Sequence, residues 1–151
     1  MSVSFNKKEG LTKKMNKEKF LKMQEHFQNL IDEYGWASHY VALDQYHNNF
    51  HTHGLQENYD HPDLQITLPL DMNSSQGIAI RIIADIKEGK LFEVGQKYYG
   101  YLKEGYPIEF KEFVECDRPV LRVLLCDQNK KMPSEKGCDK YYKKQLDILD
   151  D

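Results

Sequence analysis

Residues 51–63, His-Thr-His-Gly-Leu-Gln-Glu-Asn-Tyr-Asp-His-Pro-Asp, place three of the six histidines of the chain, two aspartates, a glycine and a proline within thirteen positions. His51 and His53 are two residues apart in a segment that reads as a strand, so both imidazoles leave the same face. A His-x-His pair on a strand presents two nitrogens to one metal ion. Asp60, His61 and Asp63 follow closely enough to complete a nitrogen and oxygen set, which makes His51, His53 and His61 candidate ligands for a zinc-like divalent ion. His39 and His47 are further candidates. The same residues also suit ordinary hydrogen bonding at a strand edge and turn.

His61-Pro62-Asp63 has a second logic. Pro62 fixes its own φ and biases His61 toward extended geometry. Asp63 can then orient an imidazole as a general base, or accept backbone N–H groups in a turn. Glu135, in the polar segment 127–137, is the third ionisable candidate. Together His53, His61, Asp63 and Glu135 form an expected ligand pocket, with His61, Asp63 and Glu135 as its candidate catalytic groups. No Gly-x-Ser-x-Gly, P-loop, G-x-G-x-x-G or H-E-x-x-H pattern is present.

The elements that must position these groups follow from periodicity. Phe20, Met23, Phe27, Leu30, Ile31 and Tyr34 recur at helical spacing between Asn16, a suitable N-cap, and Gly35, a suitable C′ residue. Their stripe is expected to face the core. Residues 36–43 and 50–55 read as strands around a polar turn at 44–48, and a third strand follows at 63–68. Residues 56–62 read as a loop. Asn73, Ser74 or Ser75 can cap a second helix that carries Ile78, Ile82, Ile83 and Ile86 on one face and closes at Gly89. Strands are expected at 107–115 and 120–126 around a turn at 116–119. A last helix opens at Asp139 with Tyr142, Leu146 and Leu149 inward. Consecutive strands with short links favour antiparallel pairing. The expected fold is α+β, a single domain with a curved antiparallel sheet and helices packed at the N-terminus, middle and C-terminus.

Composition bounds the rest. The 151 residues are 40% hydrophobic and 30% charged with a net charge of −3, the balance of one soluble globular domain with no general attraction to nucleic acid. Residues 1–22 carry seven lysines against two glutamates, so residues 1–14 read as a basic, flexible arm ahead of a domain at 15–151. Cys116, Cys126 and Cys138 are odd in number and never spaced C-x-x-C, which fits a reducing cytoplasm and not a disulfide scaffold. No apolar run approaches the ~20 residues of a membrane span.

Ordered motifs carry a resemblance. Thr52-His-Gly54-Leu55 followed by His61-Pro-Asp-Leu64 resembles the opening of the bacterial family named domain of unknown function 4262. Gly89-x-x-Phe92-x-x-Gly95, Tyr106-Pro-Ile-x-Phe110, and Asp127, Pro133, Glu135 and Gly137 match its later parts in order. The resemblance spans about residues 36–140. Asp63 stands where the family usually has Glu, Lys130 where it has Gly, Met132 for Phe and Ser134 for Trp, and positions 51 and 53 are normally not histidine in its pattern. It implies a soluble bacterial protein and assigns no activity. Two readings of function follow: a small binding or interaction domain, with a small molecule, a protein or a second copy of the chain as partner, and an acid–base or metal-assisted hydrolytic enzyme using His61 and Asp63.

Overall fold

Alternation along the strands decides which face of the sheet becomes the core. In the computed structural model, which describes Ser2–Asn6 and residues 17–149, six strands form one sheet: β1 (Ser2–Asn6), β2 (Ala37–Ala42), β3 (Asn48–His53), β4 (Asp63–Ile66), β5 (Ile108–Glu115) and β6 (Arg118–Leu125), in the order β1-β2-β3-β4-β6-β5. Among the described residues four α-helices accompany it: α1 (Lys17–Tyr34), α2 (Leu55–Tyr59), α3 (Met72–Lys87) and α4 (Lys140–Lys143). The fold is α+β, as the sequence indicates. Among the described residues no helix is long and apolar enough to cross a membrane.

The sheet is mixed, which corrects the antiparallel expectation. β2–β3, β3–β4 and β5–β6 are antiparallel, but β4 runs parallel to β6 and β1 parallel to β2. The β4–β6 pairing arises because α3 carries the chain back across the sheet before the β5–β6 hairpin forms; a parallel neighbour requires such a crossover. Of the basic arm, Ser2–Asn6 is described and forms edge strand β1. Its flexibility from residue 7 onward, and the Asn16 cap, lie outside the described residues.

Phe50, Leu64, Ile66, Leu121 and Val123 share one apolar cluster with Ile78, Ala79, Ile82, Ile83 and Ile86 of α3. Each buried isoleucine contributes roughly 2 kcal/mol by leaving water. Asp71 caps α3, its carboxylate accepting the Ser74 N–H at 2.7 Å; the caps expected at residues 73–75 lie inside the helix. Residues 116–117 close the β5–β6 hairpin with both residues at positive φ, 48° and 62°, the backbone of a tight two-residue turn.

Register places the opposite face under different chemistry. His39 pairs with His51, His51 with Gln65, and Gln65 with Arg122, a lateral row of polar side chains across four strands. α1 lies over this polar face. That is why its apolar stripe is not a core: none of its residues is fully buried, and Phe20 is 49% exposed. The helix ends as expected, with Gly35 at φ 87° and its N–H donating to the Ile31 carbonyl. The C-terminal helix is shorter than expected. α4 gives way to a 3-10 turn at Lys144–Leu146, which leads to the backbone that closes over Arg122.

Candidate functional site

The β2–β3 hairpin builds the centre. His39 stands directly opposite His51, and His53 follows two residues along the same face. The three ring centroids are 5.1–5.3 Å apart, and one nitrogen from each ring falls within 4.8 Å of the others. Gly54 ends the strand at φ 106°; a Cβ there would meet the Gly35 carbonyl oxygen at 2.7 Å, so only glycine lets β3 turn so close to the end of α1.

Burial sets the charge of these rings. It pushes His51 down to about 4, with Glu115 opposing the shift and His39 and Arg118 adding to it. It pushes His53 down to about 3, with Arg118 next in weight. His39 is lowered for the same first reason. All three are neutral imidazoles near neutral pH, each with one nitrogen lone pair.

A polar relay selects which nitrogen His51 presents. Arg122 can only donate, so Gln65 turns its carbonyl oxygen to it at 2.8 Å and its amide nitrogen to Asn49 at 3.0 Å. Asn49 therefore shows its oxygen, and that oxygen lies 3.1 Å from His51 Nδ1. Nδ1 carries the proton and donates it, leaving the lone pair on Nε2.

Behind His51 lies a buried ionic group. Glu115 Oε1 is 4.0 Å from His51 Nε2 and accepts from Arg118 Nε at 3.1 Å and Nη2 at 2.9 Å. Arg118 also reaches Asp63 at 3.1 Å and donates to the Thr52 carbonyl at 2.8 Å. Burial works upward on the Glu115 carboxyl, but His51, Cys116 and Arg118 outweigh it and hold it below the usual range. Two carboxylates share one guanidinium here, which leaves this group one negative charge in excess beside three neutral imidazoles.

The expected site residues divide. His51 and His53 come together, with His39 as their third member. His61 is not in that group: it is buried, its Nδ1 donates to the Pro62 carbonyl at 2.7 Å, and its ring meets the edge of Phe92. Its pKa is lowered by burial, against the Pro62 bond and Asp63. Asp63 is buried in a structural role, accepting the Thr52 hydroxyl at 2.9 Å and the Leu55 N–H at 3.1 Å. Glu135 pairs with Lys97 at 2.8 Å, and among the described residues none of its bonds reaches His61 or Asp63. His47 sits between Asp44 and Asp147, at 2.9 and 2.8 Å.

Glu115, Arg118, Asn49 and Gln65 carry no local motif. The pairing of His39 does have a signal, because folding the chain about the 44–48 turn carries it opposite the His-x-His pair. Two cavities meet at the centre. One of about 800 Å³ has an apolar part, Phe20, Leu21, Met23, Phe27 and Val41, and a polar part, Gln24, Glu25 and Gln28 with His39 and His53. The other, about 770 Å³, is more polar and reaches His53 past Ile31, Asp32, Glu57 and Tyr59.

Fold and site together define a small α+β domain with a three-histidine centre on the sheet face opposite its core. The sequence profile of the domain of unknown function (DUF4262) matches residues 30–139, and the chain belongs to that family. Neither curated proteins nor solved structures give a significant match.

Proposed function

We propose that this domain binds a divalent transition-metal ion of the zinc type through His39, His51 and His53. The observation that carries the reading is the convergence of three imidazole nitrogens within 4.8 Å of one another. In a tetrahedral site with zinc–nitrogen bonds of about 2.1 Å, ligating nitrogens stand about 3.4 Å apart, a separation that small ring rotations reach. Three neutral nitrogen ligands suit zinc and its neighbours in the transition series. The excess negative charge of the Asp63–Arg118–Glu115 group favours a cation in the adjacent space.

Tag-free protein, stripped with chelator and titrated with zinc, should take up one equivalent. Its melting temperature should rise with zinc and fall back on chelation, because an ion that binds only the folded state stabilises it by mass action. His53→Ala and His39→Ala should each remove the zinc-dependent rise, and His61→Ala should keep it. Equal uptake by wild type and His53→Ala would overturn the reading.

A further inference from the structure

We infer that the outer edge of β5 is a self-association surface, on which a second copy of this chain docks by antiparallel β5–β5 pairing about a two-fold axis at Phe113. The inference is independent of the metal reading.

Neighbouring residues of an antiparallel strand turn their N–H and C=O groups alternately to one side and the other. Ile108 turns outward, away from β6: it exchanges both bonds with Tyr98, each at 2.9 Å. Phe110 also turns outward, its carbonyl accepting the Gly95 N–H at 3.2 Å. Alternation turns Glu112 and Val114 outward as well. Among the described residues no backbone bond is made on that side of either. The 95–98 segment thus covers the first half of the edge and leaves the second half open. β5 pairs with β6 in unbroken register and contains no proline, so neither a bulge nor a proline blunts the open half. Val114 is 72% exposed there.

The order of side chains identifies the partner. A second β5 running antiparallel with Phe113 opposite Phe113 brings Glu112 opposite Val114 twice and Lys111 opposite Glu115 twice. Glu112 and Val114 are the residues with outward backbone groups, so each of their pairs exchanges both N–H···O bonds. Phe113 meets its copy in a non-hydrogen-bonded position, where side chains come closest and aromatic pairs are favourable. Lys111 and Glu115 share the other face with Phe113, and the Glu115 group with Asp63 and Arg118 carries one negative charge in excess. Opposite charges therefore face each other at both ends of the pairing.

The neighbouring registers fit less well. Centring on Glu112 sets that carboxylate against itself and requires the Phe110 carbonyl, which Gly95 already occupies. Centring on Val114 sets Phe113 against Glu115 and leaves Lys111 opposite the 116–117 turn. In the Phe113 register the pairing ends at Lys111, where the other copy enters that turn and the 95–98 segment takes over the edge. So short a pairing makes a small interface, and the dimer dissociates on dilution.

The test is sedimentation velocity on the full chain across a hundredfold range of concentration, with circular dichroism to check folding. Wild type should pass from monomer to dimer as concentration rises. Val114→Glu sets a carboxylate opposite Glu112 twice, and Val114→Lys sets an ammonium there twice. The exposed position tolerates both. Val114→Lys should dimerise at least about 10-fold more tightly than Val114→Glu, and Val114→Glu more weakly than wild type. Phe113→Cys gives a second reading. Its thiol faces its own copy at a separation a disulfide spans, so mild oxidation should yield a cross-linked dimer. Wild type, whose exposed Cys116 is offset from its copy in this register, should not form one. A wild type that stays monomeric throughout overturns the inference. Equal affinities of the two Val114 variants overturn it too, because the dimer then uses another surface or another register. A folded Phe113→Cys variant that fails to cross-link has the same consequence.

Discussion

Phe27 lies nearly flat on His39, ring centroids 4.0 Å apart and planes inclined by 26°, and turns its edge toward His53 at 5.3 Å. One side chain of α1 thus covers two of the three imidazoles and lines both cavities that reach them. The contact explains how a helix with no fully buried residue keeps its place over a polar sheet face. Aromatic stacking adds to a partial apolar burial.

Phe27→Ala should therefore cost about 1–2 kcal/mol in urea melts, less than the ~3–5 kcal/mol of a fully buried phenylalanine. A loss of about 4 kcal/mol would show that α1 is an integral part of the core.

The oxygen of Asn49 serves two donors, His51 Nδ1 and Gln65 Nε2. Asn49→Leu removes that acceptor and frees the imidazole to change tautomer. Zinc affinity should fall about 10–100-fold, the usual effect of removing a partner that orients a ligand. Competition with a chromophoric chelator measures it. Unchanged affinity would mean that the relay does not orient His51.

What was legible in the sequence was local. The C′ role of Gly35, the buried face of Ile78, Ile82, Ile83 and Ile86, and the turn after Glu115, expected at 116–119 and formed by 116–117 with Arg118 and Pro119 already in β6, each depend on residues within a few positions of one another. Helix α2 was not legible: its five residues show no period, and it exists because Leu55 is buried and the backbone turns left-handed at Gly54 and Asp60 on either side. The face shared by His51 and His53 follows from strand alternation alone. Glu115 and Arg118 reach the same place only because β6 lies beside β4, a parallel pairing that depends on the α3 crossover. The grouping of His61 with Glu135 assumed that polar loops meet; instead His61 lies against Phe92, and Glu135 finds Lys97.

Asp63 binds three partners at once: the Thr52 hydroxyl, the Leu55 N–H and Arg118. Burial raises its pKa, while the Leu55 and Thr52 bonds and the Arg118 charge pull it back. Asp63→Asn would leave Arg118, whose side chain is 24% exposed and still paired with Glu115, short of one carboxylate, and would turn an amide N–H₂ toward a donor; leaving such a buried group unsatisfied costs about 1–3 kcal/mol. The urea midpoint should drop accordingly. A cost under about 1 kcal/mol would show that Thr52 and Glu115 suffice to hold Arg118.

Asp127 organises the loop that leads to α4. Its Oδ1 accepts the N–H groups of Asn129 and Lys131 and its Oδ2 that of Asp139, each at 2.9 Å. Burial works upward on this carboxyl, but the backbone donors of Asp139, Lys131 and Asn129 outweigh it and hold the folded-state pKa below the ordinary value. A depressed carboxylate stabilises the fold fully above its unfolded-state pKa of about 3.9 and loses that contribution as pH falls through the folded-state value. Above about pH 5 the contribution is complete and flat. Asp127→Asn presents an amide N–H₂ where one of these donors now finds an acceptor, so the variant should melt below wild type at neutral pH. Protonation of Asp127 then removes the same advantage from wild type. Melting temperatures of the two proteins, measured from pH 7 to pH 2, should run parallel down to about pH 5 and converge below about pH 4. Curves that stay parallel through the acid range would show that the loop is held by something other than the Asp127 charge.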